Sequence, residues 1–356
     1  MTRTAHAFRA LPSRAHAAGR RLGRTGCAVV AIACGDSGSV APAPPPEELL
    51  PPPALESIPY ERLGSGKLAF RRASDGNYLY VIDAGARTVA ALNLGSFSAD
   101  PALSPDGTRI AYAAYSGSGQ GTAYDVSTKR ITGADSQRVS ALEGQEFSPS
   151  WSPDGQDVYF SSLLAGGLYR QSVSSSPLRP TPVLTGDSHP CLYGSGDSPV
   201  SVSASGRLAF SCGSAVYTAN DDGSDVRELL RRETPPGRAD GLWAPTWSPD
   251  GQWLAFLRAF EDTTPGAPPL TLAVGVIRAD GSESRFVASI PMGPIVNTIG
   301  RNNLSLAWSP DGSRLAFNVM AGGLTSHIYV VDIDGTGLMQ LTTRPDAHDH
   351  SLTWVR

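Results

Sequence analysis

Trp308-Ser309-Pro310-Asp311-Gly312, followed after two residues by the apolar run Leu315-Ala316-Phe317, is one instance of a pattern that recurs along this 356-residue chain. Ser-Pro-Asp-Gly occurs at 104–107, 152–155, 248–251 and 309–312, and the other three copies lead into Ile110-Ala111-Tyr112, Val158-Tyr159-Phe160 and Leu254-Ala255-Phe256. Ser203-Ala204-Ser205-Gly206 before Leu208-Ala209-Phe210, and Gly64-Ser65-Gly66 before Leu68-Ala69-Phe70, are degenerate copies. The glycines at 66, 107, 155, 206, 251 and 312 are 41, 48, 51, 45 and 61 residues apart, so the chain holds six units.

Within the tetrapeptide, Pro presets φ near about −65°, Asp bonds its own backbone and Gly supplies a positive φ. Asp106, Gly107, Asp154, Gly155, Asp250, Gly251, Asp311 and Gly312 are therefore expected to build tight antiparallel turns. A short strand before each turn ends in Trp151, Trp247 or Trp308, with Leu103 in that place in the second unit. A third strand and a second turn follow, as in Tyr329-Val330-Val331-Asp332-Ile333-Asp334-Gly335, and then a fourth strand. Four short strands per unit predict an all-β fold, a six-bladed β-propeller of four-stranded antiparallel blades. The first unit has no inner strand before Gly66, while Ser351-Leu352-Thr353-Trp354-Val355 reads as an inner strand with no turn after it. The C-terminal strand is expected to join the first blade, which removes the exposed sheet edges.

Composition agrees: 40% of residues are hydrophobic, only 17% are charged, and 38 Gly with 29 Pro favour a turn-rich β architecture over helices. The net charge of −4 hides an asymmetry, because six of the 29 basic residues are arginines in 1–34, a stretch without Asp or Glu. A body without that stretch has 23 basic residues against 33 acidic ones, a net −10, which excludes nucleic acid as an expected partner.

The repeat over roughly 60–356 resembles that of the TolB-type six-bladed propellers, whose blades carry this Trp-Ser-Pro-Asp-Gly signature. The resemblance implies the fold. TolB, a periplasmic protein that binds partners of the Tol-Pal envelope system, has an α/β domain before its propeller. A Pro-rich stretch takes that place here, so the likeness is to the propeller and not to a complete TolB.

Residues 1–34 read as a signal peptide: basic residues, then Cys27-Ala28-Val29-Val30-Ala31-Ile32-Ala33, then Cys34-Gly35. Ala31-Ile32-Ala33-Cys34 also resembles a bacterial lipobox, which makes Cys34 the expected lipid attachment point. Residues 35–59 read as a Pro-rich disordered linker and 60–356 as the propeller. The alternative for the leader is a short buried apolar segment or an uncleaved anchor. Cys191 and Cys212 form either a disulfide or two unpaired thiols.

In a four-stranded blade the turns joining strands one to two and three to four emerge on one face. Both classes are short here, whereas the insertions at about 133–147, 186–198, 231–243, 259–270, 291–303 and 343–349 fall on the other face. Loops on a rigid scaffold carry binding, so this loop-rich side is the expected binding face. Its candidates are Glu146, His189, Tyr193, Asp240, Trp243, Arg301, Asn302, His348, Asp349 and His350. His348 and His350 share one side of an extended segment, and Asp349 points the other way. The resemblance assigns Asp349 and Glu146, each before the segment that ends in Trp, a part in organising the loop, so neither a metal nor another cofactor is expected. Trp151, Trp247, Trp308 and Trp354 are expected to pack between blades, leaving Trp243, placed in a loop, for ligand stacking.

No Gly-x-Ser-x-Gly, His-Glu-x-x-His or phosphate-loop signature occurs. The expected function is a non-catalytic scaffold of the bacterial envelope, exported and lipid-anchored, monomeric, and holding a protein or glycan partner. The alternatives are a metal-dependent lyase or hydrolase acting on acidic oligosaccharides, and a structural part of a larger assembly.

Overall fold

The computed structural model describes residues 55–95, 98–116, 124–140, 142–186, 200–212, 214–232, 241–260, 270–292, 304–322 and 325–356. Six four-stranded antiparallel sheets form the blades of a propeller ring. Blade 1 holds β1 (Lys67–Arg72), β2 (Tyr78–Asp83) and β3 (Thr88–Asn93), and blade 2 holds β4 (Ser98–Leu103), β5 (Arg109–Tyr115), β6 (Tyr124–Arg130) and β7 (Gln137–Arg138). Blade 3 is β8 (Glu146–Trp151), β9 (Asp157–Ser162), β10 (Gly167–Ser172) and β11 (Thr181–Thr185); blade 4 is β12 (Ser201–Val202), β13 (Leu208–Cys212), β14 (Ala215–Ala219) and β15 (Arg227–Arg231). Blade 5 is β16 (Gly241–Trp247), β17 (Trp253–Phe260), β18 (Thr271–Arg278) and β19 (Ser284–Pro291). Blade 6 is β20 (Leu306–Trp308), β21 (Arg314–Gly322), β22 (Thr325–Asp332) and β23 (Met339–Gln340). The last strand, β24 (Asp349–Val355), pairs with β1 and supplies the missing inner strand of blade 1, as expected.

The four full repeats share one turn. In blade 6 the Ser309 hydroxyl donates to Asp311 Oδ1 (2.6 Å) and accepts from the Arg314 amide (2.9 Å), while the Gly312 amide donates to the Ser309 carbonyl (2.9 Å). Gly107, Gly155, Gly251 and Gly312 all take φ between 66° and 71°, which a side chain would strain. Ser203 keeps the hydroxyl role in the degenerate fourth copy, where its Oγ accepts from the Arg207 amide at 2.9 Å.

The apolar run after the turn fills the blade interior. Phe70, Phe160, Phe210 and Phe317 each lie opposite a tyrosine on the next strand, with ring centroids 5.5–6.2 Å apart. Burial of each phenylalanine contributes about 2–3 kcal/mol. Blade 5 departs from this rule: Phe256 lies opposite Gly275, and a Cβ there would stand 2.3 Å from the Phe256 ring.

Between blades, the repeated tryptophans do the packing expected of them. Trp151 sits in a core with Ala111 and Val126 of blade 2, and its Nε1 donates to the Ala102 carbonyl at 3.0 Å. Trp308 packs with Leu257 and Val274 of blade 5 and donates to the Thr246 carbonyl at 2.9 Å. Trp247 and Trp354 are buried in the same way, but among the described residues their Nε1 atoms have no hydrogen-bond partner.

Packing extends back into residues 55–59, which the sequence reading gave to the linker. Ile58 is buried in the core shared by blades 1 and 6, and a short helix, α1 (Tyr60–Leu63), buries Leu63 beside it. Among the described residues, no helix is long and apolar enough to cross a membrane.

Candidate functional site

The inner strands enclose a channel of about 770 Å³. Four of them bulge at a residue in the left-handed region: Asp100 (φ 50°), Ser148 (52°), Ala244 (49°) and Ser351 (56°). The ladder register shifts at each of these places, which breaks strand pairing in the wall of the channel. Neighbouring bulges touch, since the Ser148 amide donates to Asp100 Oδ2 at 3.3 Å. The lining between bulge and turn is hydroxyl and proline rich, with Pro149, Ser150, Pro245, Thr246, Ser305 and Thr353.

The buried acids stand at the loop-rich ends of their strands. Asp349 opens β24 and is fully buried, its two oxygens held by Arg72 Nε (2.6 Å) and Nη2 (2.9 Å). Arg72 also donates to Glu56 (3.1 and 3.2 Å), and its guanidinium lies 5.6 Å from the Phe70 ring centroid and 5.5 Å from that of Tyr80. Glu56 accepts the Thr343 amide as well (2.8 Å). Burial opposes the charge on Glu56, but these bonds and the adjacent Arg72 overcome it and hold the carboxyl down at about 2. Glu146 opens β8 at the matching position and is equally buried; its Oε2 accepts from the Ser140 hydroxyl (2.6 Å), and among the described residues its Oε1 has no hydrogen-bond partner. Burial and the nearby Asp125 carboxylate push it up to about 7.

His350 is buried beside Arg71, whose Nη1 stands 3.4 Å from His350 Nε2, and its ring centroid lies 5.0 Å from that of His348. Burial and the Arg71 charge lower both imidazoles below the usual histidine value. These rings are packed and neutral near pH 7. Among the described residues, no group of three or more His, Cys, Asp or Glu is arranged to hold a metal.

Glu146, Asp349 and His350 are thus out of solvent, and Asp349 is linked through Arg72 to Glu56, which accepts the Thr343 amide. Trp243 requires a correction: it lies within β16, opposite Leu257, partly buried over Gly241, and not in a loop. The bulge at Ala244 extends the strand past it. Cys212 is disulfide-bonded. His189, Tyr193, Cys191, Asp240, Arg301, Asn302 and Cys34 lie outside the described residues. Sequence reasoning missed Arg71, Arg72 and Glu56, because an ion pair spanning 277 residues leaves no local pattern.

No protein-family model matches the chain. The Tol-Pal system protein TolB of Anaeromyxobacter dehalogenans is 28% identical over 139 residues, which are 39% of this chain and 26% of that protein. The uncharacterized protein Atu1656 of Agrobacterium fabrum is 29% identical over 163 residues, 44% of this chain and 53% of that one. The crystal structure of TolB from Acinetobacter baumannii superposes with a TM-score of 0.60 at 16% identity, covering 82% of this chain and 66% of that one. The chain is a TolB-like six-bladed propeller. The match spans about half of Atu1656 and about a quarter of the TolB relative.

Proposed function

We propose that this TolB-like propeller is a non-catalytic scaffold of the bacterial envelope, exported and lipid-anchored at Cys34, which holds a protein or glycan partner at its loop-rich face. The supporting observation is the asymmetry of the closed ring. Its Ser-Pro-Asp-Gly face is built of short hydrogen-bonded turns, while the Arg72–Asp349–Glu56 network stands at the opposite ends of the strands, the side to which the sequence assigns its longer insertions. A fixed frame under variable loops is the arrangement by which scaffolds present binding surfaces. Cys191 is the natural partner for Cys212, consistent with an oxidising compartment.

Intact mass from the membrane fraction of a bacterial host, beside a Cys34→Ala version, tests the anchor: a diacyl or triacyl adduct on a chain starting at Cys34 is expected, and unmodified cytosolic protein refutes it. Photocrosslinkers placed at Asp346 on the loop-rich face and at Ser282 on the turn face test the binding side. Adducts from Asp346 alone are expected, and adducts from Ser282 alone reject the assignment.

A further inference from the structure

Blade 5 breaks the repeat at one surface position. The residue just before the apolar run is charged in five units, Lys67, Arg109, Asp157, Arg207 and Arg314, and is Trp253 in the sixth. The arginines reach their own blade's next strand or turn: Arg109 bonds Thr128 (2.9 Å), Arg207 bonds Asn220 (2.9 Å) and Arg314 pairs with Asp332 (2.9 Å). Trp253 pairs in register with Arg278, whose guanidinium lies 4.6 Å from the indole centroid. Trp253 packs against the core shared by blades 5 and 6 yet stays partly exposed, where the repeat otherwise places a charge.

The indole lines a cleft of about 500 Å³ at the seam of blades 5 and 6 on the turn face, beside the channel. Ile333, Asp250, Asp311, Arg285 and Arg356 line it too. Asp250 and Asp311 use Oδ1 for their turns, accepting from Ser248 and Ser309 (each 2.6 Å), and among the described residues their Oδ2 atoms make no hydrogen bond. The cleft therefore offers an aromatic wall, two carboxylate oxygens and two guanidinium groups of opposite charge.

We propose that this cleft is a binding subsite for a neutral saccharide, with Trp253 as its stacking platform. The electron-rich indole face attracts the slightly positive C–H edges of a pyranose, and the planar carboxylate and guanidinium groups match pairs of vicinal hydroxyls as acceptors and donors. The cleft carries both signs of charge, so no single sign selects a uronate or an amine. The volume lies within the range of small-ligand pockets and has room for about two sugar rings. The subsite lies on the face opposite the loop-rich one and stands independently of the partner proposed there.

The test titrates the full chain with cellobiose, maltose and N,N′-diacetylchitobiose, followed by heat and by tryptophan emission. At least one is expected to bind with a Kd of about 0.1–5 mM, typical of a short, open site. Trp253→Arg combined with Arg278→Asp installs the pairing of blade 6 and is expected to weaken binding at least tenfold with an unchanged melting temperature. Trp253→Phe, which keeps an aromatic in place, is expected to weaken it severalfold and gives a second reading should the double variant misfold. Absence of binding by all three sugars, or affinity unchanged in both variants, overturns the proposal.

Discussion

Arg72 and Asp349, 277 positions apart, meet through two parallel hydrogen bonds of 2.6 and 2.9 Å with neither side chain exposed to solvent. The pair joins β1 to β24 where the ring closes. Arg72→Met strands Asp349 as a buried charge and is expected to cost about 3–5 kcal/mol, whereas Asp349→Leu leaves Arg72 its bonds to Glu56 and is expected to cost less. The Arg72→Met, Asp349→Leu double variant is expected to cost much less than the two single changes together. Urea unfolding of the three variants checks this, and additive losses refute it.

Glu146 gives the opposite dependence on pH from Glu56. Its carboxyl stands at about 7 in the fold against 4.5 when unfolded, so the folded chain binds that proton more tightly. The resulting stability is complete below about pH 4.5 and is lost as pH rises through 7. Glu56, held at about 2, contributes above 4.5 and loses its contribution in acid. Glu146→Gln is expected to remove a decline of about 2 kcal/mol between pH 5 and 8. Melting curves across that range decide it.

The four inter-blade tryptophans should respond unequally to the same change. Trp151→Phe abandons the Ala102 carbonyl, whereas Trp247→Phe deletes an N–H that has no partner among the described residues. The first is expected to cost about 1 kcal/mol more than the second, one buried hydrogen bond. Equal losses in denaturant titrations would show that the bond contributes nothing.

Ser309 serves its turn through one oxygen that both donates and accepts. Ser309→Ala leaves the Arg314 amide and Asp311 Oδ1 without that partner and is expected to lower stability by about 1–2 kcal/mol. Hydrogen exchange at the Arg314 amide should quicken; unaltered exchange contradicts the assigned role.

The blades were legible because the Ser309-Pro310-Asp311-Gly312 turn and the Leu315-Ala316-Phe317 run act locally, and repetition multiplies a local signal. Closure was legible because Trp354 lacks the turn that follows Trp151, Trp247 and Trp308. The buried state of Glu146 and His350 was not, since burial depends on neighbours from other strands. Placing Trp243 in a loop failed because a bulge at Ala244 carries pairing past the tryptophan, and no residue type announces a left-handed alanine. Trp253 did carry a signal, a break in the charged column of the repeat, visible only once the units are aligned.

Because β24 completes blade 1, the first blade to leave the ribosome is the last to finish folding. Blades 2 to 6 can each assemble from neighbouring sequence, but β1 must wait with one edge unpaired until Asp349–Val355 emerges. During synthesis that waiting edge is the segment most open to wrong pairing, and the closing step converts nearly the full length of the chain into a single loop.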